Sequence, residues 1–176
     1  MRRILLSCAS IAVLMLPAAA SAEARGHASH GFLVVRNAAG DGGVTGHPVV
    51  TVVVHGFVLG RISQEAQARV DIFQIASPAG GGAPQAAGPD VSHSRVRWRH
   101  FRGTEYRGSG FRFRALGGDY RVVVRGSGVY LFTGGRGNVT LHGSAVYPRA
   151  DGTYSVAGGR FRSLPGQPLQ RQIGGS

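Results

Sequence analysis

Arginine stands at every second position in two short stretches: Arg95, Arg97 and Arg99 flank Val96 and Trp98, and Arg112 and Arg114 alternate with Phe111 and Phe113. In an extended strand, residues two apart project the same way, about 6.6 Å from each other. The alternation predicts guanidinium groups along one surface, with Val96, Trp98, Phe111 and Phe113 along the other. Arg121 and Arg125 extend the set, with Arg102 and Arg107 as neighbours. Planar guanidinium forks match phosphate and carboxylate oxygens, so the chemistry of such a patch is to hold a polyanion. Arg95, Arg97, Arg99, Arg112, Arg114, Arg121 and Arg125 are the candidate binding residues. The plainer alternative is the solvated outer face of an antiparallel sheet, where charge belongs in any case.

Other chemistry finds less support. Seven histidines raise the question of a metal, since imidazole is a common ligand for zinc and copper. His27 and His30 precede the patterned part, His47 precedes a proline, and His55, His93, His100 and His142 stand singly without a nearby carboxylate or thiol. No metal and no cofactor is expected. The eight acidic residues fall partly in turn positions, such as Asp41 and Asp151, where aspartate usually serves the backbone. Glu105 and Asp119 could form a carboxylate pair across the sheet for glycoside hydrolysis, but nothing in the sequence fixes their distance. No nucleophile elbow, phosphate-cradling loop or dinucleotide fingerprint is present, so no catalytic residue is assigned. Trp98 and the five tyrosines could form a platform for sugar rings, although Trp98, alternating with arginines, is expected to point inward.

The bulk composition narrows the partner classes. Arg2 and Arg3, an apolar run from Ile4 to Leu16, then Pro17 and the small residues Ala18 to Ala22 have the order of a secretory signal with cleavage near Ala22. The expected destination is the medium or the cell envelope and periplasm. Cys8 lies inside that run, so the remaining 176 − 22 = 154 residues contain no thiol and the fold has no disulfide to rely on. All 20 basic residues are arginine, against 8 acidic, for a formal charge of +12 that becomes +10 without Arg2 and Arg3. A polycation of this kind favours an anionic envelope polymer, an acidic glycan or a lipid surface, and nothing in it reads as a specific nucleic-acid motif. High charge also serves solubility alone.

The elements that must position these residues read as strands. Residues 23–30 form a flexible amino-terminal arm, and a β-domain is expected over 31–163. Short apolar, β-branched runs at Phe32 to Arg36, Val49 to His55, Phe57 to Ile62 and Arg69 to Ala76 are strands, with Val49 to Val54 central and buried on both faces. Ser63 to Arg69 is too short for a stable helix and is read as a hairpin loop. Residues 77–90 form an irregular proline- and glycine-rich loop. Beyond it, glycines recur around strands at Ser94 to Arg102, Phe111 to Ala115, Tyr120 to Arg125, Val129 to Thr133, Asn138 to His142, Ala145 to Tyr147 and Tyr154 to Ala157. Turns at that spacing describe a meander, and Asp151-Gly152 is a hairpin signal. The expected fold is all-β: a single antiparallel β-sandwich or barrel-like domain with glycine-bounded meander strands, followed by a loose tail over 164–176.

The best functional expectation is a non-enzymatic secreted or envelope-associated β-domain that binds an anionic polymer or surface through its arginine face. The alternative is a structural or assembly protein whose sheet edges pair with partners and whose arginines serve solubility, with a secreted hydrolase third. Composition leaves the oligomeric state open.

Overall fold

The computed structural model describes residues 31–36, 49–76, 82–143 and 152–175. The expected leader and arm, and the strand read at Ala145 to Tyr147, lie outside the described residues. Eleven strands follow in chain order: β1 (Gly31–Arg36), β2 (Val49–Ile62), β3 (Ala68–Ala76), β4 (Gln85–Ala87), β5 (Asp90–Trp98), β6 (Phe101–Ser109), β7 (Arg112–Gly126), β8 (Val129–His142), β9 (Thr153–Val156), β10 (Arg162–Ser163) and β11 (Leu169–Ile173). They form one antiparallel, unclosed sheet in the order β10-β9-β1-β8-β2-β7-β3-β6-β5, with β11 on β8 and β4 on β7. The fold is all-β, and the described residues contain no helix.

Three long strands, β8, β2 and β7, carry the architecture. Each bends where glycine removes the inward side chain. In register, Gly31 lies against Gly135, Gly135 against Gly56 and Gly56 against Gly118, a row of four glycines across β1, β8, β2 and β7. A Cβ on Gly56 would stand 2.2 Å from the Gly134 carbonyl oxygen, and one on Gly135 would stand 2.2 Å from that of His55. With φ of 154° and 133°, both also occupy backbone conformations that side chains resist. The sheet turns a corner along this row, in the manner of sandwiches whose strands pass from one layer to the other through a bend. One half contains β10, β9, β1 and β4; the other contains β11, β3, β6 and β5.

The connection from β2 to β3 shows how far the sheet folds over. Ile62 donates its N–H to the Phe111 carbonyl at 2.8 Å and Ser63 to that of Gly128 at 3.0 Å. Phe111 and Gly128 flank opposite ends of β7, so these ends meet at one short segment. The expected hairpin between β2 and β3 is therefore corrected: β7 lies between the two strands, and Ser63 to Gln67 passes from one half to the other.

Alternation then builds one core. Val50, Val52, Val54, Val58 and Ile62 of β2 point inward, as do Val129, Leu131, Val139 and Leu141 of β8. In β7 the inward set changes from Phe113 and Ala115 to Tyr120, Val122 and Val124. The register slips there between Gly56 and Phe57, whose partners are Gly118 and Leu116, leaving Gly117 (φ 66°) as the extra residue. Such a bulge reverses which parity faces the core. Inward residues of both halves belong to a single cluster.

Several expectations change. Val49 to Val54 is central but buried on one face only, since Val53 is 38% exposed. Strands read as pairs, Val49 to His55 with Phe57 to Ile62, Phe111 to Ala115 with Tyr120 to Arg125, and Val129 to Thr133 with Asn138 to His142, are single bent strands. The strand read over Ser94 to Arg102 is instead cut by a turn at Arg99 and His100, where Arg99 adopts φ 55°. The loop over 77–90 contains β4. The expected loose tail is ordered: β11 pairs with β8 from Leu169 opposite Leu141 to Ile173 opposite Gly137, because Leu164 and Ile173 are fully buried.

Candidate functional site

The seven candidate arginines occupy three places. Arg95 and Arg97 lie on edge strand β5, opposite Thr104 and Arg102 of β6. Their parity on the paired strand is that of Tyr106, which belongs to the core, so they continue the concave side of the sheet past its apolar part. Trp98 and Val96 take the other side, contrary to the inward position expected for Trp98. Its ring lies 6.0 Å from that of Phe73 and stacks on Phe101 at 5.6 Å. The reason is topological: at an edge, the concave face is open to solvent, and the apolar partner available to Trp98 is the nearly buried Phe73 behind it.

Arg95, Arg97 and Arg102 line a cleft of about 710 Å3 together with Ile72, Gln74 and Thr104, and no carboxylate is among its lining residues. Pro84 closes one side, held by the Tyr106 hydroxyl, which donates to the Pro84 carbonyl at 3.0 Å. Burial pushes the ionisation of that hydroxyl above the ordinary tyrosine range. Arg97 and Arg102 are direct cross-strand partners, a like-charge juxtaposition that weakens a sheet unless an anion offsets it. None of the three forms an ion pair among the described residues.

Arg112 and Arg114 sit on the outer side of β7, before the bulge. Arg114 donates to the Gln85 side-chain oxygen through Nε at 3.0 Å and Nη2 at 2.6 Å. Arg112 pairs in register with Arg61, which sequence alternation did not single out because β2 carries no second arginine near it. Both line a cavity of about 500 Å3 with Tyr130, Gln64, Glu65 and Gly110.

Arg121 and Arg125 also face outward, after the bulge, where the charges are matched. Asp71 accepts from Arg69 Nε at 2.9 Å and from Arg125 Nη1 at 2.8 Å. Glu105, its direct cross-strand partner, accepts from Arg69 Nη2 at 2.5 Å and from Arg107 Nε. The hydrogen bond from Arg107, with the charge of Arg69 behind it, holds the Glu105 carboxyl below its ordinary range despite burial. Arg121 lies over Trp98, 4.3 Å from the ring centroid, and burial lowers its guanidinium pKa. Arg99 reaches the same ring at 5.0 Å. This region is a closed arrangement of charge and stacking.

Glu105 and Asp119 do not form the carboxylate pair considered for hydrolysis. Glu105 faces Asp71, whereas Asp119 lies at the corner, 2.7 Å from Nδ1 of His55. No described histidine, His55 included, joins a cluster of three potential ligands. The chain matches no family model, no curated protein and no solved structure.

Proposed function

We propose that this chain is a non-enzymatic, exported β-domain that holds an anionic polymer in the cleft of Arg95, Arg97 and Arg102. The observation that carries the reading is the Arg97–Arg102 cross-strand pair, with Arg95 beside it in a concave site free of lining carboxylates. Fork-shaped donors about one or two strand residues apart can engage successive phosphate or carboxylate groups along a chain. The leader-like order of residues 1–22 and the charge of +12 support an exported polycation. A structural role through edge pairing is less well supported, because the exposed edge strand β5 carries Arg95 and Arg97, charges that discourage strand addition.

The test is retention on immobilised heparin and on polyphosphate as salt is raised. The parent protein should bind at low salt, with the logarithm of its affinity falling linearly against the logarithm of salt concentration. Replacing Arg95, Arg97 and Arg102 together by Gln should reduce that slope by about three contacts' worth. Absence of binding at low salt, or an unchanged triple variant, removes the proposal.

A further inference from the structure

The outer side of the first half is unlike the rest of the surface. Across β1, β8, β2 and β7 the register brings Phe32, Gly134, Phe57 and Leu116 into one row, and Val34, Phe132, Leu59 and Arg114 into the next. Phe32 and Leu59 are 38% exposed, Phe132 40%, Leu116 41% and Tyr130 46%. Phe132 makes tilted ring contacts with Phe57 at 5.4 Å and Phe32 at 6.2 Å, so the patch is a continuous surface and not scattered side chains. Phe57 fills the space over Gly134, where a Cβ would come within 2.7 Å of its ring.

The third row is Arg36, Tyr130, Arg61 and Arg112. A line of guanidinium groups therefore borders the apolar surface. Arg36 lies over Phe161 at 4.5 Å, bringing another 45% exposed ring to the border. None of these three arginines has an ion pair among the described residues; Glu65, in the turn beyond the row, is not within ion-pair distance of them. The acid at the opposite border, Asp119, is engaged by His55.

We propose that this face docks on an anionic lipid bilayer, with Phe32, Leu59, Phe132 and Tyr130 entering the interface and Arg36, Arg61 and Arg112 meeting the headgroups. An exposed apolar patch edged by cations fits a surface that is itself apolar within and negative at its rim. A second copy of the chain fits less well, since among the described residues its matching face would bring three more arginines and, as a carboxylate outside any ion pair, Glu65 alone. The site is separate from the polymer cleft and does not depend on it.

Co-sedimentation of the full chain with vesicles tests this directly. Vesicles of equal parts phosphatidylglycerol and phosphatidylcholine should bind the protein, and phosphatidylcholine alone should bind it weakly. Leu59→Ser with Phe132→Ser should weaken binding about ten-fold or more, and Arg61→Gln with Arg112→Gln by roughly five-fold per arginine. The Arg95, Arg97 and Arg102 triple variant should bind vesicles as the parent does, which separates this result from failure of the polymer reading. Emission from Trp98, on the other half, should not shift on binding. Failure to bind anionic vesicles, equal binding by the Leu59/Phe132 variant, or a shift of Trp98 emission would each overturn the proposal, as would a dimer that the Leu59/Phe132 variant abolishes.

Discussion

The outward sides of the two halves are made by the same long strands, yet one has its charges matched and the other does not. Around β3, β6 and the end of β7, Asp71 and Glu105 receive Arg69, Arg107 and Arg125, and Arg121 lies on Trp98. Around β1, β8 and the start of β7, Arg36, Arg61 and Arg112 stand in a row beside exposed rings. Both regions are arginine-rich, so arginine content does not distinguish them. The two nearly buried carboxylates do: where they occur, guanidinium groups become part of the fold, and where they are missing, Arg36, Arg61 and Arg112 form no ion pair among the described residues.

Changing the corner that separates the halves should have the largest effect. Gly135→Ala places a Cβ against the His55 carbonyl in a backbone conformation of φ 133°, and should cost about 3–5 kcal/mol in urea denaturation. Gly82→Ala, with nothing within 4 Å of the added atom, should stay within about 0.5 kcal/mol. Equal effects would show that the row of glycines does not set the corner.

Next comes the matched side. Asp71→Asn removes a charge that two arginines share, and a loss of about 1–3 kcal/mol is expected, since hydrogen bonds to charged groups are worth that much and the arginines keep partial access to water. Glu105 gives this region a pH dependence. Its folded pKa lies below the ordinary 4.5, so its stabilisation is complete above that value and is lost as pH falls through the lower folded value. Denaturation midpoints should therefore fall on acidification below about pH 4.5, and Glu105→Gln should flatten the fall. An unchanged profile in the variant would break the comparison from this side.

Arg121→Leu should cost about 0.5–1 kcal/mol by removing the stack on Trp98, and should change Trp98 emission. The smallest effect has the opposite sign. Arg61→Ala relieves its direct opposition to Arg112 and should raise stability by a few tenths of a kcal/mol, whereas Arg107→Ala on the matched side should lower it. A loss of stability in Arg61→Ala would mean that the two sides are alike after all.

Much of the fold was legible because alternation and β-branched runs are local properties. The valines of β2 show their strand directly. Glycine was the ambiguous residue: Gly56, Gly118 and Gly135 look like turns, because a turn and a sharp bend both require freedom from Cβ. What separates them is the approach of a neighbouring strand, such as the His55 carbonyl at Gly135, and that neighbour is distant in sequence. The candidate arginines were found by their alternation, but Arg36 and Arg61 were not, since each is the sole arginine of its strand and meets the others only through register. Glu105 and Asp119 are the converse case. A count of carboxylates could not reveal that Asp71 is the residue opposite Glu105.

The sequence by itself determined that the described chain is strands, that arginine is its cation, and that those strands alternate apolar with polar side chains. Tertiary structure alone decided which side of each strand faces the core, because one bulged glycine, Gly117, reverses parity within β7. It also decided which arginines meet a carboxylate. That depends on the register of strands far apart in the chain, which no local pattern encodes.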